Sequence, residues 1–236
     1  KILATGASLR MNLGGPSIYH GLIRVLRHVF PGCEIVYHES DGPPETEKTS
    51  PEDSSIRIYR GKPRAKNMLP ESWRMKWFRS CGASHTLEQK LIREILKADL
   101  VVDTWGIAFT DRITPMSLAG ALASKPMIRT AALLGIPVVH YTASYGPMAG
   151  RWVKLAARQI LGKQCALVYC REEQSRRNLL ACGVPAEKLL VAPDTGFLMP
   201  TEPVPLPGME AGQPCLGVSV SHQIVRQWSA PTPYQK

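Results

Sequence analysis

The sequence predicts an α/β fold in which helices flank a parallel sheet, and three observations carry that reading. Short apolar runs recur at residues 2–5, 33–37, 99–102, 138–141 and 166–169, continuous as strands buried on both faces are. Apolar residues at helical spacing lie between them, at Ile18, Leu22, Val25, Leu26 and Val29 and again at Leu87, Leu91, Ile95 and Leu96. The stretch 165–199 then reads as one complete crossover. Strand 166–169 leads to a helix carrying Leu179 and Leu180; Gly183 and Pro185 stop it, and strand 188–191 ends in Pro193-Asp194.

Taken in order, residues 2–5 run straight into Gly6-Ala7-Ser8, which suits a first strand better than a signal peptide with its longer apolar region. Pro16 stands where a first helical turn accepts proline, and Pro31-Gly32 ends that helix before strand 33–37. Asn12, Gly14 and Gly15 form a small-residue loop aimed at the helix N-terminus. Its glycines either let a ligand approach the backbone or make a tight structural turn.

Residues 38–84 differ in kind. A polar run reaches Ser55, a short strand fits 56–59, and a basic patch follows: Arg60, Lys62, Arg64, Lys66, Arg74, Lys76 and Arg79. A helix over 71–79 sets Trp73 and Trp77 one turn apart. Those tryptophans either form an interfacial element that touches lipid or an acidic acceptor, or pack the insertion onto the domain.

Thr86 opens the next helix, and strand 99–103 ends in an acid, Asp103. A small-residue helical region spans 117–134 with a break at Pro126; strand 138–141, loop 142–147 and helix 153–160 follow. In open parallel sheets, ligands bind beyond the carboxyl ends of the strands. That edge makes Asp103, Thr104, Ser144, Tyr145, Gly146 and Asp194 cleft-lining candidates. Arg171 stands there too, where a strand ends and a helix begins, and its guanidinium suits carboxylate or phosphate. The competing reading pairs Arg171 with Glu172, Glu173 or a neighbouring helix.

The chain has 236 residues, 44% of them hydrophobic, enough for a real core. Mean hydropathy is −0.11, and no apolar run approaches the ~20 residues of a membrane span. The six cysteines show no CxxC pair and no metal-ligand spacing with histidine, so buried thiols in a reducing compartment are expected, and no metal. The net charge of +10 suits an anionic partner. Nucleic acid is the least supported, because no helix-turn-helix, zinc-finger or RNP-like motif is present.

The pattern Arg171-Glu172, Ser175, Leu179, Gly183 and Pro193-Asp194 resembles the polysaccharide pyruvyl transferase family. Further landmarks agree in order and spacing: Asn12-Leu13-Gly14, Phe30-Pro31-Gly32-Cys33-Glu34, Ala98-Asp99-Leu100, Gly135-Ile136-Pro137 and Gly146-Pro147. Two departures stand out. Gly15 replaces the usual acid after Asn-x-Gly, and Thr104-Trp105-Gly106-Ile107 replaces a glycine run.

The resemblance implies one half of a GT-B-like architecture, in which two Rossmann-like domains face each other across a cleft. Residues 1–196 are then the N-terminal domain with an insertion at 40–84, 197–214 a proline-rich linker, and 215–236 the start of a second domain. It implies transfer of pyruvate as a ketal from phosphoenolpyruvate to a sugar of a cell-surface polysaccharide or its lipid-linked precursor, with no cofactor. Arg171 with Asn12, Gly14 and Gly15 would bind the anionic donor, while His140 and His20 are proton-transfer candidates without a family motif. The rest of the site would come from the second domain, so this chain alone is expected to lack turnover. The setting implied is cytoplasmic, with peripheral membrane contact through 60–79 under the interfacial reading. Two alternatives stay open: a GT-B glycosyltransferase using a nucleotide sugar, and a non-catalytic binding module derived from such a domain.

Overall fold

A computed structural model describes residues 1–10, 14–40, 45–50, 53–78, 86–111 and 116–199, with Leu216 and Val218. The chain divides into a compact unit, Lys1–Met199, and a second unit, Pro200–Lys236. The strand read at 215–220 belongs to that second unit, and apart from Leu216 and Val218 it lies outside the described residues.

In chain order the first unit contains β1 (Ile2–Gly6), α1 (Gly14–Val29), β2 (Ile35–Glu39), β3 (Glu45–Thr49), β4 (Arg57–Arg60), α2 (Ala65–Phe78) and α3 (Leu87–Leu96). There follow β5 (Leu100–Asp103), β6 (Ile107–Ala108), α4 (Leu118–Ala123), α5 (Pro126–Leu134) and β7 (Val138–Tyr145). Last come α6 (Arg151–Ala157), β8 (Leu167–Cys170), α7 (Glu173–Ala181) and β9 (Leu189–Val191). The sheet runs β3-β4-β2-β1-β5-β7-β8-β9, and β6 pairs with the end of β7. All pairs are parallel except β3–β4 at one edge. This is a Rossmann-like sheet, and strand order reverses between β1 and β5, so a crevice opens at their carboxyl ends.

Helices cover both faces because the strands are apolar on both. Leu3, Val36 and Val101 share a core with Leu91, Ile92 and Ile95 of α3 and Ile128 of α5. On the other face Ile2, Ala4, Ile35 and Tyr37 pack with Tyr19, Leu22 and Leu26 of α1. Val29, in phase with them, is 55% exposed in the last turn of α1. Thr86 caps α3, its hydroxyl accepting the Gln89 N–H. The break expected at Pro126 is there: α4 ends at Ala123 and Pro126 begins α5, after Lys125 has turned the chain at φ 50°. Gly183 ends α7 at φ 80°, the left-handed stop its position calls for.

The insertion is part of the sheet: β4 pairs in register beside β2. Helix α2 begins earlier than 71, at Ala65, and attaches through Met68, Ser72 and Met75, all buried. Trp73 and Trp77 do not do the packing; they are 55% and 65% exposed. Two methionines and a serine one turn apart already fill the inward face, so the tryptophans point away from it.

The register sets up the site. Thr5 of β1 pairs with His38 of β2 on one side and with Asp103 of β5 on the other, and Asp103 pairs with His140 of β7. Residues directly abreast share a face. Four strands therefore contribute to a polar row, His38–Thr5–Asp103–His140, at or near the carboxyl ends of β1, β2 and β5 and within the longer β7, and every member is buried.

Candidate functional site

Two openings lie at the carboxyl edge of the sheet, sharing Trp105 and Ile107 as a common wall. The smaller, about 410 Å³, is lined by Ser8, Gly14, Gly15, Ser17, Gly106, Arg171, Asp194 and Gly196, among others. The first turn of α1 faces it and carries no acid of its own. Arg171 follows the last residue of β8, its own N–H held by the Ala143 carbonyl. Its Nη2 lies 2.7 Å from Asp194 Oδ2, and its Nε–H has no acceptor among the described residues. A Cβ on Gly106 would stand 3.8 Å from that guanidinium, so a longer side chain there would crowd it.

The motif around Arg171 now has a mechanical reason. Glu172 accepts from Ser144 Oγ at 3.0 Å and also holds Ser175. Ser175 Oγ accepts the Tyr145 N–H at 2.7 Å, and Asn178 donates to the Tyr145 carbonyl at 2.7 Å. These bonds tie the end of β7 to α7 and so fix the turn that carries Arg171. The acids read as competitors therefore do not pair with it; Glu172 and Glu173 serve neighbours, and Asp194 takes the guanidinium.

The larger opening, about 520 Å³, has the polar row at its floor through Thr5, His38 and Asp103. Lys125 Nζ donates to Asp103 Oδ2 at 2.7 Å and lies 4.6 Å from the centroid of Trp105. His140 Nε2 lies 3.1 Å from the same oxygen, and its Nδ1 is 2.8 Å from the Tyr145 hydroxyl. Burial would raise the Asp103 carboxyl, but Lys125 and His140 outweigh it and hold it well below the usual carboxylate range. Burial, and then the Lys125 charge, keep His140 below its ordinary value. His38 donates from Nε2 to the Gly61 carbonyl at 2.8 Å, so its Nδ1 accepts from Thr5 Oγ1 at 2.7 Å. Burial pushes His38 down to about 4, against that Gly61 bond and the charges of Asp103 and Glu39.

Several sequence expectations change. Arg171, Gly14, Gly15 and Asp194 line one opening together, and Asp103 lines the other; Asn12 lies outside the described residues. Thr104 and Tyr145 are fully buried, since the backbone of the first closes on Thr5 and the hydroxyl of the second is spent on His140. Ser144 and Gly146 line neither opening; a Cβ on Gly146 would meet Asn178 Nδ2 at 2.8 Å. At Gly15 the close neighbour is the chain's own backbone, because a Cβ there would lie 1.7 Å from the Ser8 carbonyl oxygen. His140 is sealed in the core, and His20 on α1 lines neither opening. Lys125 and Lys62 were missed as lining residues; the only signal for Lys125 was its place before Pro126 between two helical runs.

The sequence model of the polysaccharide pyruvyl transferase family matches residues 12–232. The chain belongs to that family. No curated relative matches it. Among solved structures, this pyruvyl transferase-family chain is similar to a UDP-N-acetylglucosamine 2-epimerase from Rickettsia bellii, with 13% identity and a TM-score of 0.39 over 82% of this chain and 45% of that one. It is also similar to Anabaena HepE in complex with UDP, with 11% identity and a TM-score of 0.45 over 82% and 44%. A Methanocaldococcus jannaschii UDP-GlcNAc 2-epimerase gives 17% identity and 0.38 over 81% and 45%. The chain thus spans less than half the length of these structures. Four cysteines among the described residues, Cys33, Cys165, Cys170 and Cys182, are free thiols. Among the described residues, no group of three His, Cys, Asp or Glu side chains is placed to hold a metal. No described helix is long and apolar enough to cross a membrane.

Proposed function

We propose that this chain is the donor-anion half of a pyruvyl transferase that forms a cyclic ketal on a glycan from phosphoenolpyruvate. The observation that carries the reading is Arg171 in the smaller opening, opposite the first turn of α1, with its Nε–H unspent. A guanidinium and a helix N-terminus converge on one cavity, and both favour phosphate or carboxylate. Asp194 holds the guanidinium in place, its other oxygen accepting the Gly196 N–H at 2.9 Å.

In the reaction, two sugar hydroxyl oxygens bond to C2 of the donor, C3 gains a proton to become a methyl group, and the C2–O bond to phosphate breaks. One hydroxyl proton balances the methyl group and the other leaves with phosphate. Arg171 and the α1 N–H groups hold charge on the donor and on departing phosphate. The acid that protonates C3 is assigned to the second domain of a GT-B-like pair, since His140 is sealed away from both openings.

The test pairs this chain with a second family domain, phosphoenolpyruvate and a β-galactoside or N-acetylmannosamine acceptor, reading ketal by NMR and phosphate release. Arg171→Lys keeps the charge and loses the fork, so donor affinity should fall by about 1–3 kcal/mol. Transfer of sugar from a nucleotide sugar, with no ketal, would overturn the reading. An unchanged Michaelis constant and rate in the Lys variant would remove Arg171 from it.

A further inference from the structure

We propose that the outward face of α2 is a docking surface for an anionic phospholipid bilayer. Met68, Ser72 and Met75 fix the inward side of this helix. At 100° per residue, Trp73 and Trp77 project roughly 150° around the axis from them, with Lys66 and Pro70 on the same side of the helix. All four are exposed, and the two indole centroids are 5.9 Å apart. The tryptophans thus form one contiguous aromatic surface that their own domain leaves open to solvent.

Its surroundings are cationic. Lys62, Arg64, Lys66 and Lys76 are exposed and have no ion-pair partner among the described residues; Arg74 is held by Glu71 at 2.7 Å. Neither tryptophan lines either opening, so the face is separate from the Arg171 site and stands independently of the proposed reaction.

Charge complementarity selects the occupant. Protein interfaces are depleted of lysine around their aromatic core, because each ammonium must be desolvated against a packed partner. A headgroup layer has the opposite preference. Indoles seat at the boundary between headgroups and acyl chains, while lysine stems lie along it and keep their charges among the phosphates. Two exposed indoles ringed by unpaired cations match that boundary. Membrane contact here is peripheral, through one helix lying flat, and needs no spanning segment.

The experiment is flotation of the 236-residue chain with vesicles of phosphatidylcholine alone and of phosphatidylcholine mixed with phosphatidylglycerol. Binding is expected to the mixed vesicles only, falling as added salt shortens the screening length. The Trp73→Ala/Trp77→Ala chain should partition roughly tenfold more weakly or worse, and Lys66→Glu/Lys76→Glu should remove the preference for anionic lipid. All four positions are exposed, and circular dichroism checks that each variant keeps its fold. Failure of the parent chain to bind mixed vesicles overturns the proposal, and the face then belongs to a protein partner. Equal partitioning of the parent and the double tryptophan variant overturns it as well.

Discussion

Acid unfolding of the first unit should be set in large part by His38, and His38→Gln isolates its share. The imidazole is 1% exposed and held in the neutral form between the Thr5 hydroxyl and the Gly61 carbonyl. Burial lowers its value from 6.5 to about 4. The sign follows from which state takes the proton. Above 6.5 both states are neutral and the contribution is complete. As pH falls below that, the unfolded chain binds a proton the folded chain refuses until about 4, so stability is lost through this window. At about 1.4 kcal/mol per pH unit, the full loss is about 3 kcal/mol, of which about 2 falls between pH 7 and pH 5.

Glutamine keeps a donor and an acceptor but does not titrate. The variant starts less stable at pH 7, and its gap to the parent should narrow by about 2 kcal/mol at pH 5. Urea unfolding followed by circular dichroism at both pH values reads the gap. His140, also held below its ordinary value, adds the same slope to both proteins and cancels from the difference. An equal gap at the two pH values refutes the reasoning, as does an NMR titration of His38 near 6.5.

Asp103→Asn should cost about 3 kcal/mol at neutral pH, the low end for breaking a buried pair, because it leaves the partly buried Lys125 without its counter-charge. Adding Lys125→Met should restore part of that loss, and strict additivity in the urea double-mutant cycle would show that the two are not coupled. Gly15→Ala should destabilise by about 2–3 kcal/mol or more in thermal unfolding, since the new Cβ would meet the Ser8 carbonyl oxygen at 1.7 Å. A neutral effect there would mean the loop before α1 sits elsewhere.

The sequence by itself determined the apolar strands, most of the helices and the edge that carries the crevice; the polar β3 and the two-residue β6 gave no such signal. Apolar runs such as 138–141 and helical spacing such as Leu87, Leu91 and Ile95 report burial locally, residue by residue. Arg171 was legible for the same reason, as it directly follows an apolar run and precedes a helix. The tertiary structure alone decided the rest. Thr5, His38, Asp103 and His140 are isolated polar residues of four separate strands in the sequence, and only the register sets them abreast. Likewise Gly15 reads either as room for a ligand or as a tight turn until the Ser8 carbonyl is seen to occupy that room. Trp73 and Trp77 read either as packing residues or as an interfacial element, until Met68 and Met75 take the inward face and leave them exposed. In each case the deciding neighbour lies outside the residue's own periodic pattern: on another strand, across a turn or on the opposite side of a helix. Periodicity encodes which residues are buried, but the pairing of strands and the approach of one backbone to another encode what they are buried against.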